Sequence, residues 1–391
     1  MAGPLQGVRI LDLTSVIAGP YASQILGDLG ADIIKVEAPD GDTTRNTGPA
    51  RNPGMAAMYL GVNRNKRSIV LDLKQENARD ALWKLIDSAD VFMHSIRPQK
   101  LEKLGFGHES VCERNPRLIY VGLHGFGSGG PYSGRPAYDD VIQGQSGAAD
   151  LMSRLTGEPR YTPMIMADKT TGTVVTYSVC AALFAREKTD RGQFVEVPMF
   201  ESMVAYNLLE HQYGAVFDPP MADAGYPRVL APWRRPYKTL DGYCCMLAYT
   251  NPQWHRFWTE VGAPELIDDP RFANLSLRTT NISALYETAG QYMATRETEQ
   301  WLDVLQGLEI PCGPVTTMND LYKDPHLTAQ GFFETANHPT EGPVVMPKFP
   351  VRFEHTPAHI SRLQPRLGEH NAEVLREAGL TESEIAALNR D

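Results

Sequence analysis

The feature that most limits the possible folds is a repeated exchange of short apolar runs and helical patterns through the first third of the chain. Val8 to Leu13 reads as a buried strand, followed by the small-residue turn Thr14 to Pro20, a helix pattern through Tyr21 to Leu29 and a second strand from Asp32 to Val36. The rhythm returns with a strand from Ile69 to Leu73, a helix from Glu76 to Asp87, a strand from Val91 to His94, a helix from His108 to Arg114 and a strand from Leu118 to Leu123. Strands joined through helices run parallel, since a right-handed crossover brings the chain back to its starting edge. The pattern predicts an α/β fold, a large Rossmann-like parallel-sheet domain whose ligands bind at the carboxyl ends of the strands.

The texture changes where Pro219, Pro220, Gly225, Pro227, Pro232 and Pro236 fall close together. This predicts a linker over residues 217–236. Beyond it, Leu240-Asp241-Gly242-Tyr243 is a hairpin signal, and helix patterns follow at Pro252 to Val261, Thr280 to Ala294 and Thr298 to Gly307. The expected division is residues 1–216 as the first part of the large domain, 237–325 as a smaller α+β domain, and 326–391 as a return linker and the C-terminal part of the large domain. The tail carries a cap signal at Thr381 before an amphipathic helix. At 391 residues the chain exceeds one compact core, which agrees with two domains.

Composition excludes several classes of function. A net charge of −10 offers no general attraction for nucleic acid or an anionic membrane. No apolar run approaches the roughly 20 residues that span a bilayer, and no secretory leader opens the chain, so the cytoplasm is the expected compartment. The 5 cysteines show no CxxC spacing and the 10 histidines neither HxH nor HExxH, so the expectation is no metal site and reduced thiols.

One carboxylate has an unusual address. In Met164-Ile165-Met166-Ala167-Asp168 a short apolar segment turns into the apolar run from Thr173 to Arg186. Two readings stand side by side. Asp before a helix is an ordinary N-cap. A carboxylate at a helix N-terminus, with positive potential and free N–H groups beside it, is also suited to nucleophilic attack.

Other stretches fit a phosphorylated ligand held by an acidic protein. Arg64, Lys66 and Arg67 stand beside a strand, and Arg97, Lys100 and Lys103 follow another; guanidinium and ammonium groups pair well with phosphate oxygens, and a solvated turn explains them too. The turn Ser15 to Gly19 is a candidate ligand edge. Gly125-Phe126-Gly127-Ser128-Gly129-Gly130 satisfies the dinucleotide pattern GxGxxG, but Pro131, Gly134 and Pro136 break any helix that would start there, so it reads as a flexible loop. Asp139 reads as the cap of a further helix, with Tyr138 either core or ligand contact.

Several stretches taken together resemble the family III CoA-transferases, the CaiB/BaiF family that includes formyl-CoA transferase, carnitine CoA-transferase and the alpha-methylacyl-CoA racemases. They are Leu5 to Leu13, Gly27 to Glu37, Asn63 to Leu73, Asn115 to Tyr120, the Asp168 segment, Ile310 to Val315 and Leu367 to His370. The resemblance aligns the family's nucleophilic aspartate with Asp168 and implies catalytic roles for Tyr138 and Asp139. It puts contacts to coenzyme A on Ile17, Ala18, Arg67, Leu71, Asp72, Leu73, Lys74, Ser95, Ile96, Arg97, Lys103, Arg135 and Ala137. Arg234 and Arg235 are the candidates for gripping an acceptor carboxylate. The implied reaction moves CoA from an acyl-CoA donor to a small carboxylic acid through a covalent aspartyl intermediate, with no metal. The implied assembly is an interlocked homodimer.

Three departures from the family pattern matter. Ala38 stands where relatives carry an arginine, leaving Arg45 or Arg67 to supply that contact. Residues 224–228 and 233–235 lack the glycine-rich loop of formyl-CoA transferases, which argues against oxalate as acceptor. Tyr138 replaces the histidine that the racemase branch uses for proton transfer; racemisation, which needs an acid and a base near neutrality, is the alternative reading, and a non-catalytic CoA-binding protein is a third.

Overall fold

A computed structural model of the protein describes residues 2–388. Met1 and residues 389–391, the outer limits of the large domain expected from sequence, lie outside the described residues. The chain divides into two compact units, one formed by Met1–Ala148, Tyr161–Tyr206 and Ala329–Asp391, the other by Ala149–Arg160 and Asn207–Thr328.

The first unit is built on a six-stranded parallel sheet. Its elements are β1 (Arg9–Leu13), α1 (Ala18–Asp28), β2 (Asp32–Glu37), β3 (Lys66–Val70), α2 (Glu76–Asp87), β4 (Val91–His94), α3 (Pro98–Lys103), β5 (Ile119–His124), α4 (Asp139–Gln145), α5 (Met166–Thr189) and β6 (Phe194–Pro198). The spatial order is β3-β2-β1-β4-β5-β6, the doubly wound arrangement in which strand order reverses between β1 and β4. Alternate residues of each strand feed the two faces: Leu11 and Leu13 pack with Leu82, Leu85 and Phe92 on one, Ile10 with Leu26, Ile33, Val175 and Val179 on the other. The C-terminal helices Asn371–Glu377 and Glu382–Leu388 complete the first face through Val374, Leu375 and Ile385.

β3 begins earlier than the apolar pattern predicts, and includes Lys66 and Arg67. Their charges are met from neighbouring elements. Lys66 Nζ lies 3.3 Å from Asp12 Oδ2, both side chains fully buried, and Arg67 donates to Asp32 Oδ2 at 2.6 Å. Arg64, next to them, makes a two-pronged contact with Asp28 at 2.9 and 2.7 Å. The cations that read from sequence as a phosphate grip therefore fasten β3 into the sheet.

The second unit holds an antiparallel sheet of Tyr237–Lys238, Tyr243–Met246 and Cys312–Pro314, with the predicted hairpin closing across Tyr237 and Cys244. Trp254, Phe257, Trp258, Tyr286 and Trp301 form its core. Among the described residues no helix is long and apolar enough to cross a membrane.

Candidate active site

Asp168 is not the cap of its helix. Ile165 occupies that position and offers no side-chain acceptor, so Asp168 sits in the first turn of α5 and its own N–H needs a partner from elsewhere. Asp139 supplies it, its Oδ1 accepting the Asp168 N–H at 3.1 Å. Asp139 is likewise not a cap: Tyr138 precedes α4 as its cap residue, and Asp139 opens the helix with its carboxylate turned to α5. Gln143, one turn along α4, donates to Asp139 Oδ2 at 2.6 Å.

Asp168 is 8% exposed and Asp139 9%. Burial, and then the neighbouring Asp139 carboxylate, push the Asp168 carboxyl up to about 7. A carboxyl poised there is basic enough to attack an activated carbonyl or to exchange a proton near neutrality.

The cavity that Asp168 faces lies where doubly wound folds bind ligands, at the carboxyl edge of the sheet where strand order reverses. The β1–α1 turn (Ser15, Val16, Ile17, Ala18) forms one wall and the segment after β4 (Ser95, Arg97, Pro98) another. The end of β5 and the loop leading into α4 close it with His124, Phe126, Arg135, Ala137 and Tyr138, leaving about 220 Å³. The β1–α1 turn is tensioned. Val16 is β-branched yet has φ 71°, and its N–H faces the Asp42 carboxylate at 3.3 Å. Lys35, fully buried, holds Asp42 at 2.9 Å and the Thr14 carbonyl at 3.0 Å, so the strained turn rests on a buried ion pair. At Gly172 of α5 an added Cβ would come within 2.6 Å of the Ala18 carbonyl, and this close approach sets the α1 N-terminus beside the first turn of α5.

A second cavity of about 380 Å³ shares Ser15 and runs along the same edge, lined by Val36, Ala38, Leu71, Asp72, Leu73, Lys74, Ile96 and Leu104. Its walls are apolar where Leu71, Leu73 and Leu104 stand. Lys74 and, in the first cavity, Arg97 and Arg135 form no ion pair among the described residues. Arg135 packs over the Tyr132 ring at 4.6 Å.

The structure thus brings together, in two adjoining cavities, Ile17, Ala18, Leu71, Asp72, Leu73, Lys74, Ser95, Ile96, Arg97, Arg135, Ala137, Tyr138 and Asp168. Lys103 ends α3, immediately before Leu104 of the second cavity. Arg67 stands apart: it is buried at the amino end of β3 in ion pairs with Asp32, Glu373 and Glu377. Arg45 does not replace the missing arginine at Ala38 either, since its guanidinium is buried against Glu37 at 2.6 Å and over the Tyr59 ring. Arg234 and Arg235 belong to the second unit, where Arg235 lies over Trp233 at 4.5 Å and lines a cavity with Tyr237 and Tyr243. The glycine-rich loop after β5 is pinned, contrary to the flexible loop expected. Glu201 accepts the Gly127 N–H at 3.1 Å, and Glu196 accepts the Ser128 N–H at 3.1 Å and its hydroxyl at 2.6 Å. Sequence reasoning missed Gln143, His124 and Asp42; only the spacing of Gln143 from Asp139, one helical turn, carried a signal.

Known proteins resemble this chain along nearly its whole length. The family model described as CoA-transferase family III matches residues 5–371. The chain is 33% identical over 378 residues to the succinyl-CoA:glutarate CoA-transferase of Homo sapiens, covering 96% of this chain and 86% of that one. It is 32% identical over 408 residues to the formyl-CoA:oxalate CoA-transferase of Streptomyces avermitilis, covering 99% and 98%. Among solved structures, a CAIB/BAIF family protein from Brucella suis superposes with TM-score 0.81 at 32% identity, covering 97% of this chain and 100% of that one. Rv3272 from Mycobacterium tuberculosis gives TM-score 0.82 at 30% identity, covering 95% and 98%. With a parallel-sheet cavity closed around one buried aspartate, and with likeness along nearly its whole length, this chain belongs to the CoA-transferase family III.

Proposed function

We propose that the protein transfers CoA from an acyl-CoA to a small carboxylic acid through covalent intermediates on Asp168. The Asp168 carboxylate attacks the thioester carbonyl, the C–S bond breaks, and CoA thiolate leaves an acyl–aspartyl anhydride. The thiolate attacks the aspartyl carbonyl, releasing the donor acid and leaving an aspartyl-CoA thioester. The acceptor carboxylate displaces the thiolate to form a second anhydride, and thiolate attack on the acceptor carbonyl regenerates Asp168. Thioester energy is conserved only if water is kept out, and a nucleophile 8% exposed suits that need.

The observation that carries this reading is the placement of Asp168 at the end of a cavity that continues into a cation-edged groove. In this reading the adenosine end of CoA lies between Leu71 and Leu104, Lys74, Arg97 and Lys103 attend the phosphates, and the pantetheine arm passes Ser15 toward Asp168. The uncapped first turn of α1, at Ile17 and Ala18, offers N–H donors for the oxyanions formed at each step. Tyr138, 70% exposed, orients the acyl group. The test is trapping: hydroxylamine or borohydride added during turnover modifies Asp168, detected by peptide mass spectrometry. Unmodified Asp168 during sustained transfer contradicts the mechanism.

One observation favours a second reading. A carboxyl near 7 is also matched to proton transfer at the alpha carbon of an acyl-CoA, as a racemase requires. Deuterium entering that carbon without any acceptor acid decides for it. We also propose a homodimer, supported by Tyr177 and Phe184 of α5, large apolar side chains exposed at 59% and 64%; sedimentation at the monomer mass excludes it.

A further inference from the structure

We propose that Gln143 is a positioning residue for Asp168, aiming the Asp139 carboxylate at the amino end of α5 so that the Asp168 carboxyl is left free to react. The inference rests on the reading of Asp168 as the nucleophile.

Gln143 is 1% exposed, and its amide is used on both sides. Nε2 donates to Asp139 Oδ2 at 2.6 Å and to the Met164 carbonyl at 3.2 Å. Oε1 accepts the Thr162 N–H and the Thr162 hydroxyl, both at 2.9 Å. One side chain of α4 therefore ties down the segment that leads into α5 and the carboxylate that caps it. Ile165, the cap residue of α5, offers no side-chain acceptor of its own.

Asp139 receives an N–H on each oxygen, from Asp168 on Oδ1 and from Gln143 on Oδ2, so its orientation is fixed from both sides. The carboxylate held in this way is the neighbour that, after burial, raises the Asp168 carboxyl. The other charged or titratable side chains of the cavity are Arg97 from the segment after β4, His124 from the end of β5, and Arg135 and Tyr138 from the loop before α4; Lys169 and Asp140 are chain neighbours of the pair. None of these touches Asp139 by hydrogen bond or ion pair among the described residues.

The test uses the full-length enzyme with Gln143→Leu and Gln143→Glu, beside Asp168→Asn, following kcat and the KM for the acyl-CoA donor across pH. Gln143→Leu is expected to lower kcat by roughly tenfold or more while leaving the donor KM within about twofold, since the CoA handle binds elsewhere. Its acid limb moves to lower pH, because Asp139 is no longer held against the amino end of α5 and the neighbouring charge that, after burial, raises Asp168 is weakened. Gln143→Glu keeps the size and the acceptor for Thr162 but replaces the donor to Asp139 by a further carboxylate. Its acid limb is expected to move the other way, to higher pH, because a second negative charge near Asp168 raises that carboxyl further. A merely structural role would lower stability without reshaping either profile. If Asp168→Asn is inactive while both Gln143 variants keep the native kcat and pH profile, the positioning role is wrong. If Asp168→Asn retains transfer, the nucleophile reading itself fails.

Discussion

The Oδ1 of Asp139 accepts the backbone N–H of Asp168 at 3.1 Å, so one carboxylate stands at the amino end of the helix whose first turn carries the other. The contact is favourable for the helix and unfavourable for the second charge, and it is the specific neighbour that, after burial, pushes Asp168 up to about 7. Attack requires the ionised form. In the free enzyme kcat/KM should therefore fall by about tenfold for each pH unit below 7 and level off above it. A flat profile of kcat/KM down to about pH 5 would contradict the assignment.

The same raised value makes Asp168 a cost to folding. Its folded-state value lies above the unfolded 3.8, so between these limits the native state binds more protons than the unfolded state, and stability declines as pH rises toward 7. Asp168→Asn removes the titration. It should abolish transfer and raise the melting temperature, with the gain larger at pH 8 than at pH 5, amounting to roughly 1–4 kcal/mol at the higher pH. Denaturant titrations at both values check it; a gain independent of pH overturns the explanation.

Gly172→Ala tests the approach of α1 to α5. The new methyl would lie 2.6 Å from the Ala18 carbonyl and 3.0 Å from the Tyr21 ring. The backbone carbonyl cannot swing aside, so the helices must part, at about 1–3 kcal/mol. Lowered kcat together with lowered stability is expected, read by steady-state rates and thermal melting.

Lys74→Ala should raise the KM for acyl-CoA by about tenfold and leave kcat nearly unchanged, since an ammonium–phosphate contact is worth roughly 1.5 kcal/mol and acts equally in ground and transition states. The difference should shrink at high salt. A loss confined to kcat would place Lys74 elsewhere in the cycle.

Asp12 tests the buried charges under the β1–α1 turn. Burial opposes its ionisation, but Lys66, Lys35 and the hydroxyls of Ser23 and Thr14 outweigh that and hold it below the usual carboxylate range. Asp12→Ala leaves both lysines without this partner, and a loss of about 3–5 kcal/mol is expected in urea unfolding.

Consecutive residues recorded a good deal of this protein. The exchange of strand and helix patterns from Val8 to Leu123 specified a parallel α/β sheet, and the apolar run after Asp168 specified a buried helix, because both signals are periodicities carried within a dozen neighbouring positions. The ordered likeness to family III transferases pointed to Asp168 before any geometry was known.

Charges were the part that misled. Arg64, Lys66 and Arg67 have the composition of a phosphate grip, yet Asp28, Asp12 and Asp32 neutralise them from α1, β1 and β2. Lys74 and Arg97, no different in sequence, line the cavities and form no ion pair among the described residues. Asp139 and Asp168 both read as helix caps for themselves, and in the fold one caps the other's helix. Local sequence determined which elements form, because backbone periodicity is settled by near neighbours. The tertiary structure alone decided which charges are structural and which are free, because the partner that neutralises a charge comes from whichever strand or helix the fold lays beside it.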